Sequence, residues 1–298
     1  MQGRTIMGQT SIEWTEHSWN PVVGCTKISP GCTNCYALRM AIRLAHNPKL
    51  PGDVRERYAS TVHKIGGKWE WSGKVALFHE RLEEPLKRRN QTMYFVPSMG
   101  DLFHEDVPMG YIGTIFDVMR RSRTHTFQVL TKRPERMLEF QHWWFESSAG
   151  DYLSNIWLGV TAENQRTADE RIPVLLQIPA AVRFVSCEPL LGTVDLRGYL
   201  GTGELPSQHY LDWVICGGES GPGARPMHPD WARSLVQQCE GARVPVFVKQ
   251  MGTVWAKHQA GVYARGDTKG HNIEWWPSDL RIRQMPQGYS SSSKVIDE

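Results

Sequence analysis

From residue 74 onward the chain alternates short, continuously apolar runs with helix-forming segments, and this rhythm is what most restricts its fold. The runs are 74–78, 92–97, 126–130, 156–160, 183–185, 212–216 and 244–248, and 19–24 adds an eighth near the start. They are β-branched or aromatic rather than alternating, as strands buried on both faces of a parallel sheet are. Between them lie helix formers, with Pro108, Pro134 and Pro229 where a first helical position falls. Such alternation predicts an α/β fold. Because crossovers share one hand, eight units close most simply into a parallel (βα) barrel of TIM or partial-barrel type, a doubly wound open sheet being the other arrangement. The barrel domain is expected over 1–251 and a C-terminal extension over 252–298. In the extension, Trp275-Trp276-Pro277 reads as a docked element and 289–298, with four serines, as a loose tail. Residues 46–73, with Pro48, Pro51, Gly66-Gly67, Trp69 and Trp71, read as a polar insertion forming a flap over one end.

Before that rhythm begins, 24–36 reads Gly-Cys-Thr-Lys-Ile-Ser-Pro-Gly-Cys-Thr-Asn-Cys-Tyr and puts Cys25, Cys32 and Cys35 on one short loop. Pro30 and Gly31 turn the chain between the first two, so three sulfurs can gather round one centre. Soft thiolate ligands select zinc or an iron–sulfur cluster over magnesium or calcium. Three ligands leave one coordination position open, as a centre that binds substrate requires. A fourth ligand could come from Cys187, Cys216, His17 or His79. The run 36–45 reads as a helix capped by Thr33 or Asn34, whose positive end would favour bound thiolate. Three unrelated buried cysteines or a structural zinc knuckle are the alternatives.

No segment is apolar and long enough to span a bilayer, and 1–10 lacks the pattern of a signal peptide, so a cytoplasmic, non-membrane protein is expected. There the six cysteines stay thiols or metal ligands. Cys216 and Cys239 read as core residues. A formal net charge of +3 permits a nucleic-acid partner without arguing for one. The basic runs Lys87-Arg88-Arg89, Arg120-Arg121 with Arg123, and Lys132-Arg133 read first as solvated helix ends.

Nearly every apolar run stops at ionisable or hydrogen-bonding groups: His79-Glu80, Ser98 with Asp101 and His104, Lys132-Arg133, Glu163-Asn164, Ser186-Cys187-Glu188, Gly217-Gly218-Glu219-Ser220 and Lys249-Gln250. In a parallel α/β barrel these positions meet on the C-terminal face, where active sites are built. Asp101, Lys132, Glu163 and Glu188 are therefore the candidate catalytic residues. The rival reading makes some of them structural ion pairs, such as Lys132 with Glu163 or Glu188. Gly217-Gly218 would let the backbone approach a ligand, with Glu219 taking an amino group.

The segments Gly-Cys-Thr-Lys-Ile-Ser-Pro-Gly-Cys-Thr-Asn-Cys-Tyr-Ala, Gly-Asp-Leu-Phe-His-Glu, Leu-Thr-Lys-Arg-Pro-Glu-Arg, Trp-Leu-Gly-Val-Thr-Ala-Glu-Asn-Gln, Phe-Val-Ser-Cys-Glu-Pro-Leu-Leu-Gly and Gly-Gly-Glu-Ser-Gly-Pro-Gly-Ala-Arg-Pro together resemble the phage-associated three-cysteine-motif family. That family is related to the radical S-adenosylmethionine enzymes and has no assigned reaction. The resemblance runs from about Ser11 to Pro286. It implies a [4Fe–4S] cluster on Cys25, Cys32 and Cys35, with S-adenosylmethionine on the fourth iron and an external electron donor. A 5′-deoxyadenosyl radical would then take a hydrogen atom from a nucleic acid or nucleotide. On this reading Gly217, Gly218 and Glu219 meet the cofactor's amino group, Lys132 its carboxylate, and Tyr36, Ser98 and Ser186 complete the cofactor contacts. The cysteines here are separated by six and two residues, where that superfamily usually has three and two. A structural-zinc binding protein and a photolyase-like electron carrier, with Cys187 as fourth ligand, are the other function classes.

Overall fold

The computed structural model describes residues 10–148, 154–201, 210–259 and 265–286. Contacts divide the chain into two compact units, 1–28 with 35–157 and 29–34 with 158–298.

The first unit opens with β1 (His17–Ser18) and β2 (Val22–Val23). After the cysteine loop comes α1 (Tyr36–Ala45), which buries Ala37, Leu38 and Ala41 on one face. Its N-cap is Cys35, without a side-chain cap bond. The expected caps are used differently. Pro30–Cys32 forms a 3-10 turn closed by the Thr33 N–H on the Pro30 carbonyl, and the Asn34 amide is committed elsewhere. The 46–73 stretch is not a polar flap. It forms α2 (Gly52–Ser60) and the antiparallel hairpin of β3 (Val62–Ile65) and β4 (Lys68–Trp71). Gly66 and Gly67, at φ 55° and 79°, make the two-residue turn whose twist suits a hairpin. Tyr58, Val62 and Trp71 pack with Ala37, Leu38 and Ala41 of α1 and with Phe78 and Met99 in one apolar cluster.

Run 74–78 supplies β5 (Ala76–Leu77), which pairs antiparallel with β2 instead of entering the main sheet. Pro21, having no N–H, ends the ladder of β1, and its carbonyl accepts the Phe78 N–H at 2.8 Å. Then follow β6 (Met93–Val96), α3 (Met109–Arg121), β7 (Thr126–Thr131) and α4 (Pro134–Ser148). Pro134 opens its helix as expected, whereas Pro108 is the residue before the helix. β1 pairs with β6 and β6 with β7, both parallel. Tyr94 stacks on Phe127 at 5.4 Å, and Phe116 meets Phe140 at 4.6 Å.

The division between the units falls within β8 (Ile156–Thr161). The second unit continues with α5 (Gln165–Leu175), held at its start by a reciprocal capping box of Asn164 and Thr167. It adds β9 (Val182–Cys187), β10 (Trp213–Cys216), α6 (Pro229–Ala242), β11 (Val246–Val248) and α7 (Thr253–His258). β9, β10 and β11 are parallel neighbours, with Cys187 opposite Cys216. The strand order β1-β6-β7-β8-β9-β10-β11 makes one seven-stranded sheet of an α/β fold, open in its order and consistent with the partial-barrel expectation.

The extension after residue 252 docks on the outer side of β11. Val248 N–H donates to Ile282 O at 2.8 Å, Gln284 N–H donates to Val246 O at 2.9 Å, and Trp276 is buried with its indole N–H on Gly270 O. Backbone that an edge strand would otherwise expose is thereby satisfied. The expected loose tail, 289–298, lies outside the described residues. Among the described residues no helix is long and apolar enough to cross a membrane.

Trp71→Ala should lower the stability of the first unit by about 3 kcal/mol, the usual scale for removing a packed tryptophan. Chemical denaturation checks this; a change below about 0.5 kcal/mol, the scale of an exposed site, would mean the hairpin is not part of the core.

Candidate functional site

Gly24 lets the chain enter the cysteine loop. It sits at φ 106°, and a Cβ there would meet the Lys74 carbonyl oxygen at 2.4 Å. Cys25 follows, and its partner at the end of β7 is Arg133. The Arg133 guanidinium, only 8% exposed, donates from Nη1 to Cys25 Sγ at 3.6 Å and to Asp101 Oδ2 at 3.0 Å, and from Nη2 to Thr26 Oγ1 at 2.5 Å. Asp101 is saturated: Oδ1 also accepts from the Thr131 hydroxyl and the Phe103 N–H, and Oδ2 from the Lys132 N–H. A carboxylate with four donors is an anchor for the ends of β6 and β7. Burial disfavours the Arg133 charge, but Asp101 and Cys25 keep the guanidinium above its ordinary pKa.

His104, fully buried, accepts the Asp106 N–H at Nδ1, which leaves Nε2 protonated to donate to Thr26 Oγ1 at 3.2 Å. Burial first, and Arg133 second, push its pKa below the usual range, so the ring is neutral. Lys132 is half-buried and contributes its backbone N–H to Asp101. Tyr36 is 47% exposed and ties its hydroxyl to the Ser98 carbonyl at 2.7 Å, while the Ser98 hydroxyl and N–H both donate to Asn20 Oδ1.

Segment 29–34 of the cysteine loop groups with the second unit, and two buried carboxylates grip it there. Glu163, fully buried just after β8, accepts from the Ser29 hydroxyl at 2.5 Å and from Arg171 Nη1 at 3.1 Å. Gly31 lies against the same side chain; a Cβ there would come within 2.2 Å of Glu163 Oε1. Glu219, just after β10, accepts from Asn34 Nδ2 at 3.0 Å and from the Arg225 N–H, Nε and Nη2. The Asn34 amide also donates to Gly223 O at 2.7 Å. Burial of Glu219 opposes its charge, yet the hydrogen bonds from Arg225 and Asn34 prevail and hold the carboxyl below its ordinary range.

Further along, Glu188 accepts from Lys249 Nζ at 3.2 Å and from the Ser186 hydroxyl at 3.4 Å. Glu163 and Glu188 thus belong to ion pairs, as the rival sequence reading anticipated, but with Arg171 and Lys249. Gly217 and Gly218 are required by close approach to the chain itself: a Cβ on Gly218 would lie 2.3 Å from Met251 O, and one on Gly217 2.8 Å from Glu188 Oε1. Of the basic runs, Arg120 and Arg121 pair with Asp117 on their own helix.

Cys25, Cys32 and Cys35 are free thiols of intermediate exposure, whereas Cys187, Cys216 and Cys239 are free and buried. Burial pushes the Cys187 and Cys216 thiols well up, which suits core residues and makes poor ligands of them. Among the described residues no three His, Cys, Asp or Glu side chains stand gathered in an arrangement able to hold a metal ion. The loop thiols fit a thiophilic metal in the chemistry of their donor set: they are free, reachable and, at Cys25, beside a cation. Metal binding and ordering of its ligands are commonly one event.

The residues 9–284 match a family model described as "Protein of unknown function (DUF5131)". The chain belongs to this family. No curated protein matches it, and no solved structure does. In this DUF5131 chain the residues that sequence reasoning undervalued are Arg133, Arg171, Arg225 and Asn34. Only the run Thr131-Lys132-Arg133-Pro134, a strand end turned sharply by proline, carried a hint of the first.

Glu163→Gln should cost about 3 kcal/mol in denaturant unfolding, because it strands the buried Arg171 charge; unchanged stability would show that the pair is not structural. For Glu219, whose folded pKa lies below its unfolded value of about 4.3, stabilisation is present above that pH and is lost as pH falls through the folded pKa. A pH series of thermal unfolding should therefore show a shallower acid limb in Glu219→Gln, and superimposable limbs would contradict the assignment.

Proposed function

We propose that this chain is an iron–sulfur protein of radical S-adenosylmethionine type, with Cys25, Cys32 and Cys35 as the ligands of a [4Fe–4S] cluster. The observation that carries the reading is the contrast among its cysteines: the three in the loop are free and accessible, and the three on strands and helices are buried. Arg133 beside Cys25 adds a hydrogen-bond donor of the kind that stabilises a ligating thiolate. The six-motif resemblance read from the sequence, with its phage-associated relatives, supports the radical type. When bound, such a cluster supplies one electron for cleaving the sulfonium of S-adenosylmethionine, and the reaction class is hydrogen-atom abstraction.

The protein's own residues then divide the work. Ser29, Gly31 and Asn34 hold the middle of the loop against Glu163 and Glu219. Thr26, Asp101 and Arg133 orient Cys25. Tyr36 presents an exposed ring, its hydroxyl fixed by Ser98 O, as a surface on which a nucleobase can stack. A nucleic acid or nucleotide is the proposed substrate class, resting on that ring and on the resemblance. Glu188 with Lys249 is the remaining half-buried charge pair at a strand end, available to hold a proton or a polar substrate group.

Anaerobic reconstitution tests this. Wild-type protein should take up about four irons and four sulfides per chain, as the assigned cluster formula requires, and lose them in Cys32→Ala. Reduction with S-adenosylmethionine should release 5′-deoxyadenosine. Zinc at about one per chain, the stoichiometry of a structural site, would overturn the cluster, and a cluster without deoxyadenosine would remove the radical chemistry.

A further inference from the structure

Arg133 makes a contact that a purely structural arginine does not need. Its pairing with Asp101 and its bond to Thr26 already satisfy a buried guanidinium, yet Nη1 is also directed at the Cys25 sulfur. Asp101 holds Arg133 in place, and is itself fixed by Thr131, Phe103 and the Lys132 N–H. Neutral His104 presses on the same Thr26 hydroxyl from the other side, donating from Nε2. The guanidinium therefore has one orientation, with a donor facing the sulfur. All of these groups lie within the first unit.

A hydrogen bond and a positive charge at a ligating sulfur favour the reduced, more negative state of an iron–sulfur cluster, and so raise its reduction potential. We infer that Arg133 is a positioning residue that orients the Cys25 sulfur and raises the potential at which the cluster accepts its electron, with Asp101 and Thr26 fixing the guanidinium for that purpose. This rests on the cluster assignment above. The step concerned is a one-electron reduction: one electron passes from an external low-potential donor to the cluster, with no bond made or broken in the protein. Lysine at position 133 would keep the charge but not the planar fork that reaches Asp101, Thr26 and Cys25 together.

The test is a redox titration with dithionite, followed by electron spin resonance, on the full-length protein loaded with iron and sulfide without oxygen. Three proteins are compared: wild type, Arg133→Lys, and the double variant Asp101→Asn with Arg133→Gln, which removes both buried charges and so avoids leaving one unpaired. The inference predicts unchanged iron content and a midpoint potential shifted to more negative values in both variants, further in the double variant, where hydrogen bond and charge are both gone. If Arg133→Lys does not fold, the double variant decides alone. Potentials equal to wild type in iron-loaded variants would overturn the inference while leaving the cluster assignment standing. A wild type that binds no iron would overturn both.

Discussion

Two carboxylates taken out of water hold the centre of the cysteine loop, and the rest of the site depends on that grip. Glu163 and Glu219 follow parallel strands directly, so their backbone is fixed by the sheet, and each carries a charge that burial opposes. Such charges are tolerated only when paired and fully hydrogen-bonded. Arg171 satisfies the first and Arg225 the second, and each carboxylate has an oxygen left for the loop, which Ser29 and Asn34 take. Gly31 follows from the same constraint, because any side chain there would occupy the space of Glu163.

The same logic holds at Cys25 with the signs exchanged. The buried charge is now the Arg133 guanidinium, its partner is Asp101, and the donor left over faces a sulfur. In each case the ion pair is the framework, and the functional contact is made by the capacity the pair leaves unused. This arrangement gives rigidity without dedicating a catalytic group to structure, since a pair whose geometry is overdetermined cannot easily yield its remaining bond.

The fold class was legible because runs such as 126–130 and 156–160 are apolar on both faces, which only a buried strand requires; β7 and β8 fall there within a residue. The hairpin of β3 and β4 was not legible, because each strand buries only one residue fully, Val62 and Trp71, and exposes or half-exposes the others. Run 74–78 was correctly apolar but pairs with β2, a choice made by Pro21 and Gly24, whose effects are on backbone geometry and not on hydropathy. At the site, the carboxylates were found by their position after strands. Their roles depended on Arg171 and Arg225, eight and six residues along the chain on a following helix and loop, where a basic residue looks like any solvated one. Gly217-Gly218 had a double meaning that only coordinates separate: the close approach is real, but the approaching group is the chain's own Met251 and Gln250.

The central claim is that the loop held by these carboxylates presents Cys25, Cys32 and Cys35 to iron. X-ray absorption at the iron edge, on wild-type protein purified without oxygen, tests it most directly. The account predicts a first shell dominated by sulfur with iron as the next neighbour, the signature of a cluster. A first shell of nitrogen and oxygen, or metal content confined to zinc, would contradict it.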